Sequence, residues 1–420
     1  MAATARVPLL WPASWTHADA LALLNSSPIN HLIPNPTLPA AVEHAARGRG
    51  LSCEPVAWRD WGEIDWPSGG LISIGDGFWP GSASGQNRQE GGPTGAPWVD
   101  ANGWIIQLAR GRMPEGAELL LNSAPPEDTA SLTVESYLLA LSESWAYGAV
   151  RPVWLAPQHA TEALGGSGAG ATVWRSIVEL LRWQQARQDW ARFQPVTRLL
   201  VISDFSGPNQ YMSGEVLNLA ARQHIAFTPV ETRRLSAVAF GGKRAALYVD
   251  TQPPPAPAMG HLRAFVSAGG LLLTPANTAA LFAAAGVLDS THPRFTVRAF
   301  GKGRIAVSKQ DYDDPWILAR DAHLLMSRRW DSIRLFNAGS MLAHHAAAPG
   351  GASSVVHLLN YTCRPSANVV SLQVPANTRS ALLHTLDMDK APIASVRRDN
   401  RTEIDVPPFP SYCAIELSHA

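Results

Sequence analysis

Asp76 closes an apolar run at 71–76 and precedes Gly77-Phe78-Trp79, so a carboxyl sits where a strand should give way to a turn. Downstream, Glu90 and Asp100 lie on a Gly-, Ser-, Pro- and Asn-rich stretch (80–103), and Asp100 is framed by Trp98, Asn102 and Trp104. Upstream, Asp60, Glu63 and Asp65 alternate with Trp58, Trp61 and Trp66. Two carboxyl groups, one acting as acid and the other as base or nucleophile, are what cleavage of a glycosidic bond requires. Indole faces stack on the C–H faces of sugar rings, while amides and imidazoles bind hydroxyls. The pattern assigns Asp76 and Asp100 the acid/base and nucleophile or water-activating roles, with Glu90 in reserve. Trp58, Trp79, Trp98 and Trp104 are the stacking candidates, and Asn102, Asn122 and His159 the polar ligands. The Asp60 cluster also reads as a solvated loop, and Trp174, Trp183 and Trp190 as a packed helix face.

These residues need a scaffold, and three compositional zones supply one. Thirteen of 15 tryptophans precede residue 191, which marks the first border. Before it, short apolar runs at 7–11, 30–34, 54–58, 71–76, 118–122 and 152–156 alternate with helical patterns at 16–24, 39–48, 132–147 and 171–193. That alternation predicts a parallel β/α barrel over 1–193, reduced if no strands are hidden, because a full one has eight. The second zone, 196–310, predicts a doubly wound α/β domain of flavodoxin size, with a hairpin at Gly301-Lys302-Gly303. A linking helix, capped by Asp314 and started by Pro315, fits 311–332. Regularly spaced alternating strands over 333–420 predict a small all-β sandwich, with His344-His345 in an Ala- and Gly-rich connector.

Composition excludes several classes. Acidic and basic residues balance at 34 each, which leaves no electrostatic footprint for nucleic acid or an anionic membrane. Thirty of the 34 basic residues are arginine, read here as genome composition. A 46% hydrophobic and 16% charged chain is not a disordered tail protein. The start lacks the charged and apolar regions of a secretory leader, and no apolar run reaches membrane-spanning length, so a soluble protein of undetermined compartment is expected. Cys53, Cys363 and Cys413 are too few and scattered for a disulfide framework or zinc site, and no HExxH, P-loop, GxSxG or GxGxxG motif occurs. No cofactor or metal is expected. Asp311, Asp313 and Asp314 lack calcium-loop spacing.

The segments AFVSAGGLLLTP (264–275), GKGRIAV (301–307) and VVHLLNY (355–361), together with the order of zones, resemble the β-galactosidases of glycoside hydrolase family 42. The resemblance implies a β/α barrel, a glutamine-amidotransferase-like domain and a β-sandwich, a saccharide substrate, and a trimer formed through the second domain. The family's Asn-Glu pair has no counterpart, since no Asn-Glu dipeptide occurs in the chain. The amidotransferase cysteine is absent as well, because none lies between Cys53 and Cys363. Two readings follow: a glycoside-hydrolase-like protein acting on a saccharide in a Trp-rich cleft, and a non-catalytic carbohydrate-binding or scaffold protein derived from one.

Overall fold

The computed structural model describes residues 6–62, 70–82, 98–114, 116–128, 132–278 and 288–420. In the first zone, Pro8–Leu10 lies parallel to His31–Ile33, which lies parallel to Ser52–Cys53. On its other side Leu9 bridges Val153, and Leu120 bridges Val150, both in parallel. Glu118–Leu121 pairs with Leu71–Ile74 in parallel, and Ile74 bridges Arg59. Neighbours of this kind need long crossovers. Helices Ala40–Gly48, Gly103–Arg112 and Val134–Ala146 lie on them. Both faces of the strands are covered, so their sequences read as continuous apolar runs: Leu9, Leu32, Ile72, Ile74 and Leu120 are all essentially inaccessible.

The expected strand at 54–58 is instead a pair of contacts, one at Ser52–Cys53 and one at Arg59. Pro55 between them has no N–H to give a ladder. Residues 16–24 form a 3-10 helix at Ala18–Leu24 rather than an α-helix. Two helices were not foreseen. Gly103–Arg112 is buried almost all round, which erases the 3.6-residue polar period, and Pro157–Leu164 is announced only by proline at its first position.

The second zone holds a seven-stranded sheet ordered Phe227–Glu231, Leu199–Ser203, Ala245–Tyr248, Leu271–Thr274, Gly303–Ser308, Phe295–Phe300, Leu288–Thr291. The first five strands are parallel and the last two antiparallel. Its leading part is the doubly wound order 2-1-3. Phe300 pairs with Gly303, the hairpin expected there, and the helix Pro315–Met326 is capped by Asp314, whose carboxylate accepts from the Ile317 N–H. The helical pattern that the sequence carries at 277–285 falls largely outside the described residues.

The third zone is two antiparallel sheets. One carries Thr378–His384, Tyr412–His419, Ser353–Asn360 and Met341–Ala347; the other carries Arg334–Phe336, Val370–Pro375, Arg401–Val406 and Ser395–Arg398. Val356, Leu358, Leu372, Val374, Ile404 and Ile415 fill the layer between them. Gln194–Pro195 adds to the edge of the first sheet, so the chain is tied to it before entering the second zone. All three cysteines are free thiols. Among the described residues, no helix is long and apolar enough to cross a membrane, and no His/Cys/Asp/Glu group is arranged to hold a metal ion.

His344 and His345 are not in a connector but in the strand Met341–Ala347, both buried because that strand is covered on both faces. Burial, reinforced by neighbouring histidines and by Arg110 and Arg198, holds His344 well below its usual range and His345 near 3. Burial likewise lowers His357 to about 3 and His224 to about 4. A histidine whose folded pKa is depressed loses stability as pH falls below its unfolded value of about 6.5, at up to about 1.4 kcal/mol per pH unit. Asp76 and Asp250, both raised to about 6, and Glu143, raised by burial, act in the opposite sense; against them stand six lowered histidines, His31 and His419 being the other two. Denaturant unfolding followed from neutral pH to about pH 5 should therefore show a net loss of several kcal/mol, and His357→Gln should flatten the slope.

Candidate functional site

The site forms where parallel strands end. Arg59 donates its N–H to the Ser73 carbonyl at 3.0 Å and accepts from the Gly75 N–H at 2.9 Å, which sets the ends of the two segments side by side. The next residue of one is Asp60 and of the other Asp76. Their carboxyls share a hydrogen bond. The Trp61 N–H caps Asp76 Oδ1 at 3.2 Å, and the Gly62 N–H caps Asp60 Oδ1 at 3.0 Å. Although Asp76 as a residue reaches solvent, partial burial of its carboxyl is the first cause that raises it to about 6; the Asp60 charge and the shared hydrogen bond add to this. Asp76 therefore keeps its proton up to about pH 6.

The flanking glycines are there because nothing else fits. A Cβ on Gly75 would stand 2.7 Å from Trp58 Cβ, and one on Gly77 would stand 2.7 Å from the Asn122 carbonyl oxygen. The Gly77 N–H also bonds that carbonyl at 3.1 Å. Gly77→Ala should push the turn away from Asn122, cost about 1–3 kcal/mol in urea unfolding, and shift the Asp76 titration read by NMR. A variant with wild-type stability and an unmoved titration would show that the close approach is not needed.

Beneath this turn lies a buried polar network. Asn102 is fully buried; its Oδ1 accepts from the Phe78 N–H at 2.7 Å, and its Nδ2 donates to the Phe78 carbonyl at 3.0 Å and to Glu143 Oε2 at 2.6 Å. Glu143 Oε1 also accepts from the Asn102 N–H at 2.7 Å and the Tyr361 hydroxyl at 2.6 Å. Arg151, equally enclosed, donates to Ser144 Oγ at 3.2 Å, to Ser123 Oγ and to the Phe78 carbonyl. Burial lowers Arg151 to about 10, opposed by Glu143, and pushes Glu143 up, opposed by Arg151. Three donors converge on Glu143, and together with Arg151 they oppose the rise that burial causes.

The other candidates are placed as follows. Asp100 is half-buried on a short antiparallel pair, Gly81–Ser82 with Val99–Asp100, and accepts from Trp98 Nε1 at 2.9 Å. No hydrogen bond or ion pair joins it to Asp76 among the described residues. Glu90, Glu63, Asp65 and Trp66 lie outside the described residues. Asn102 spends its amide on Phe78 and Glu143 and has none to offer a ligand. Trp104 is buried edge-on against Trp61 with centroids 5.2 Å apart, because its helix faces the core. His159 is buried against Tyr137, its Nδ1 3.1 Å from the hydroxyl. Asn122 is buried with an unpartnered Oδ1. Trp58 is half-buried over Gly75, Trp79 packs on Tyr137 at 5.3 Å, and Trp98 lies under the Arg222 guanidinium at 3.7 Å. Of the four stacking candidates only Trp104 is buried; Trp58, Trp79 and Trp98 keep partial exposure, while edge-on packing such as Trp11–Trp15–Trp174 takes up other indoles. Asp60, which the sequence also reads as part of a solvated loop, is exposed and stands beside Asp76; its sequence signal is an acid following a short apolar run.

Compared with solved structures, the chain is similar to α-L-fucosidase isoenzyme 2 from Paenibacillus thiaminolyticus, with a TM-score of 0.52 and 9% identity over 99% of this chain and 100% of that one. It is similar also to a catalytic mutant of the family 42 β-galactosidase Gan42B from G. stearothermophilus, with a TM-score of 0.52 and 10% identity over 75% of this chain and 56% of that one. The architecture is glycoside hydrolase family 42-like. A β-galactosidase from Bacillus circulans sp. alkalophilus matches at a TM-score of 0.50 and 12% identity, over 74% of this chain and 61% of that one. The chain thus spans little more than half the length of either β-galactosidase. At these identities the likeness is one of fold. No protein-family model matches the sequence, and no curated protein matches it.

Proposed function

We propose that this chain is a carbohydrate-active protein of glycoside-hydrolase type, with six parallel segments closing into a reduced β/α barrel and the saccharide lying over their C-terminal ends. The parallel contacts support closure: they pass from Leu9 through Leu32, Cys53, Arg59, Ile74 and Leu120 to Val150–Val153 and so back to Leu9. The single observation that carries the reading is the Asp60–Asp76 pair at the ends of two adjacent segments, which is where barrel enzymes place their chemistry. Asp76, still protonated up to about pH 6, donates its proton to the departing glycosidic oxygen; Asp60 is the base that orients water.

The second reading, a saccharide-binding protein without turnover, is favoured by one fact. The two carboxyls are in hydrogen-bond contact, whereas acid and base across a scissile bond stand about 5 Å or about 6.5–9.5 Å apart. A panel of neutral and acidic oligosaccharides, assayed in parallel for binding and for new reducing ends, separates the two. Reducing-end release supports the enzyme; binding with none supports the binder; neither sinks both.

A further inference from the structure

An open groove of about 760 Å³ lies where the 3-10 turn Arg328–Trp330 meets the four-stranded sheet of the third zone. Five arginines line it: Arg198, Arg329, Arg334, Arg398 and Arg401. Three carboxylates oppose them, Asp331, Asp399 and Glu403, so the groove carries two positive charges in excess on a chain whose charges balance overall. Two of those carboxylates are committed. Asp331 is held by His323 at 2.6 Å and Arg334 at 3.2 Å, and Glu403 by Arg398 at 3.3 Å.

Among the described residues, Arg198, Arg329 and Arg401 have no carboxylate partner. Arg401 is fixed by the carbonyls of Ser332, Arg329 and Asp331, at 3.3, 3.4 and 2.5 Å, which stiffens the floor. Arg198 uses one nitrogen on the Gly242 carbonyl and keeps its other donors. Arg329 is exposed, 5.1 Å from the Trp330 ring. Gln373 and Asn400 add amides to the same wall.

We propose that this groove binds an acidic oligosaccharide through its carboxylate or sulfate groups. A guanidinium fork matches a planar carboxylate or a sulfate edge, and the amides suit ring hydroxyls. The size suits a few sugar rings. Single-stranded nucleic acid fits worse: an excess of two charges is small for a phosphate chain, and Trp330, the groove's indole, is already covered by Arg244 at 4.0 Å and by Arg329. The proposal shares with the functional reading only the class of molecule, and it places the ligand away from Asp60 and Asp76.

The test is calorimetric titration of the full chain with a tetragalacturonate, a chondroitin sulfate tetrasaccharide and a neutral tetrasaccharide, at low salt and at high salt. At least one acidic probe should bind one-to-one and at least about tenfold tighter than the neutral one, weakening as salt rises. Arg329→Gln/Arg398→Gln, on two exposed positions, should lower that affinity roughly tenfold, while Asp76→Asn leaves it unchanged. Equal binding of acidic and neutral probes, indifference to the arginine replacements, or equal competition by inorganic sulfate or an RNA oligomer would overturn the groove. Loss of acidic binding in Asp76→Asn alone would move the ligand to the strand ends, overturning the groove and leaving the functional reading standing.

Discussion

Asp76→Asn should lower kcat/KM for saccharide hydrolysis by roughly 10²–10⁴-fold, the contribution of a positioned general acid, while saccharide binding changes far less. The reason is specific to this carboxyl: burial and the Asp60 charge keep it protonated to about pH 6. A raised folded-state pKa means the ionised form is disfavoured in the native protein, so Asp76 contributes stability at acid pH that is lost as pH rises through 6. Removing the charge should therefore leave Tm at neutral pH unchanged or higher, which separates a catalytic defect from misfolding. The partner gives the sharper diagnostic. Asp60→Asn removes the like charge and the carboxyl–carboxyl bond but not the burial, so Asp76 must fall back toward ordinary carboxyls. The limb of the rate profile that declines as pH rises through about 6 in the native protein should move to lower pH. Unchanged turnover in Asp76→Asn, or a limb that Asp60→Asn does not move, would end this assignment.

What could be read in the sequence followed from what apolar runs can and cannot encode. Strands buried on both faces, such as Leu199–Ser203, leave an unbroken hydrophobic signature, and the Asp314-Pro315 start leaves a capping one. The helix Gly103–Arg112 left neither, because it is buried on nearly every side. Site residues divide in the same manner. The strand-end position of Asp76 was legible because it closes a run beside two glycines. Asn102 has the same residue type as a sugar ligand, yet its partner Glu143 is 41 residues away, and no local pattern reports a hydrogen bond of that span. Tryptophan abundance decides little for the same cause: an indole suits an edge-on core contact as well as a sugar face, and only tertiary structure separates them.

Glu143 carries the second large expectation. It sits in the last turn of its helix with no exposed surface, accepting from Asn102 twice and from Tyr361 while facing Arg151. Glu143→Ala strips the counter-charge from an enclosed guanidinium and leaves three donors unpaired, the situation in which breaking a buried pair costs about 3–5 kcal/mol. Tyr361→Phe removes one donor and leaves the charge pair, so its cost should stay near about 1–2 kcal/mol. The difference between the two, read by urea unfolding, measures the electrostatic share. The damage should also travel: Asn102 and Arg151 together hold both polar groups of the Phe78 backbone, two residues past Asp76. Glu143→Ala should therefore disturb the Asp76 titration in whatever fraction remains folded, whereas a substitution of equal cost in the distant layer, such as Leu372→Ala, should not. If both move the Asp76 titration equally, the network is a stabiliser of the whole fold and not a support for the strand-end carboxyls.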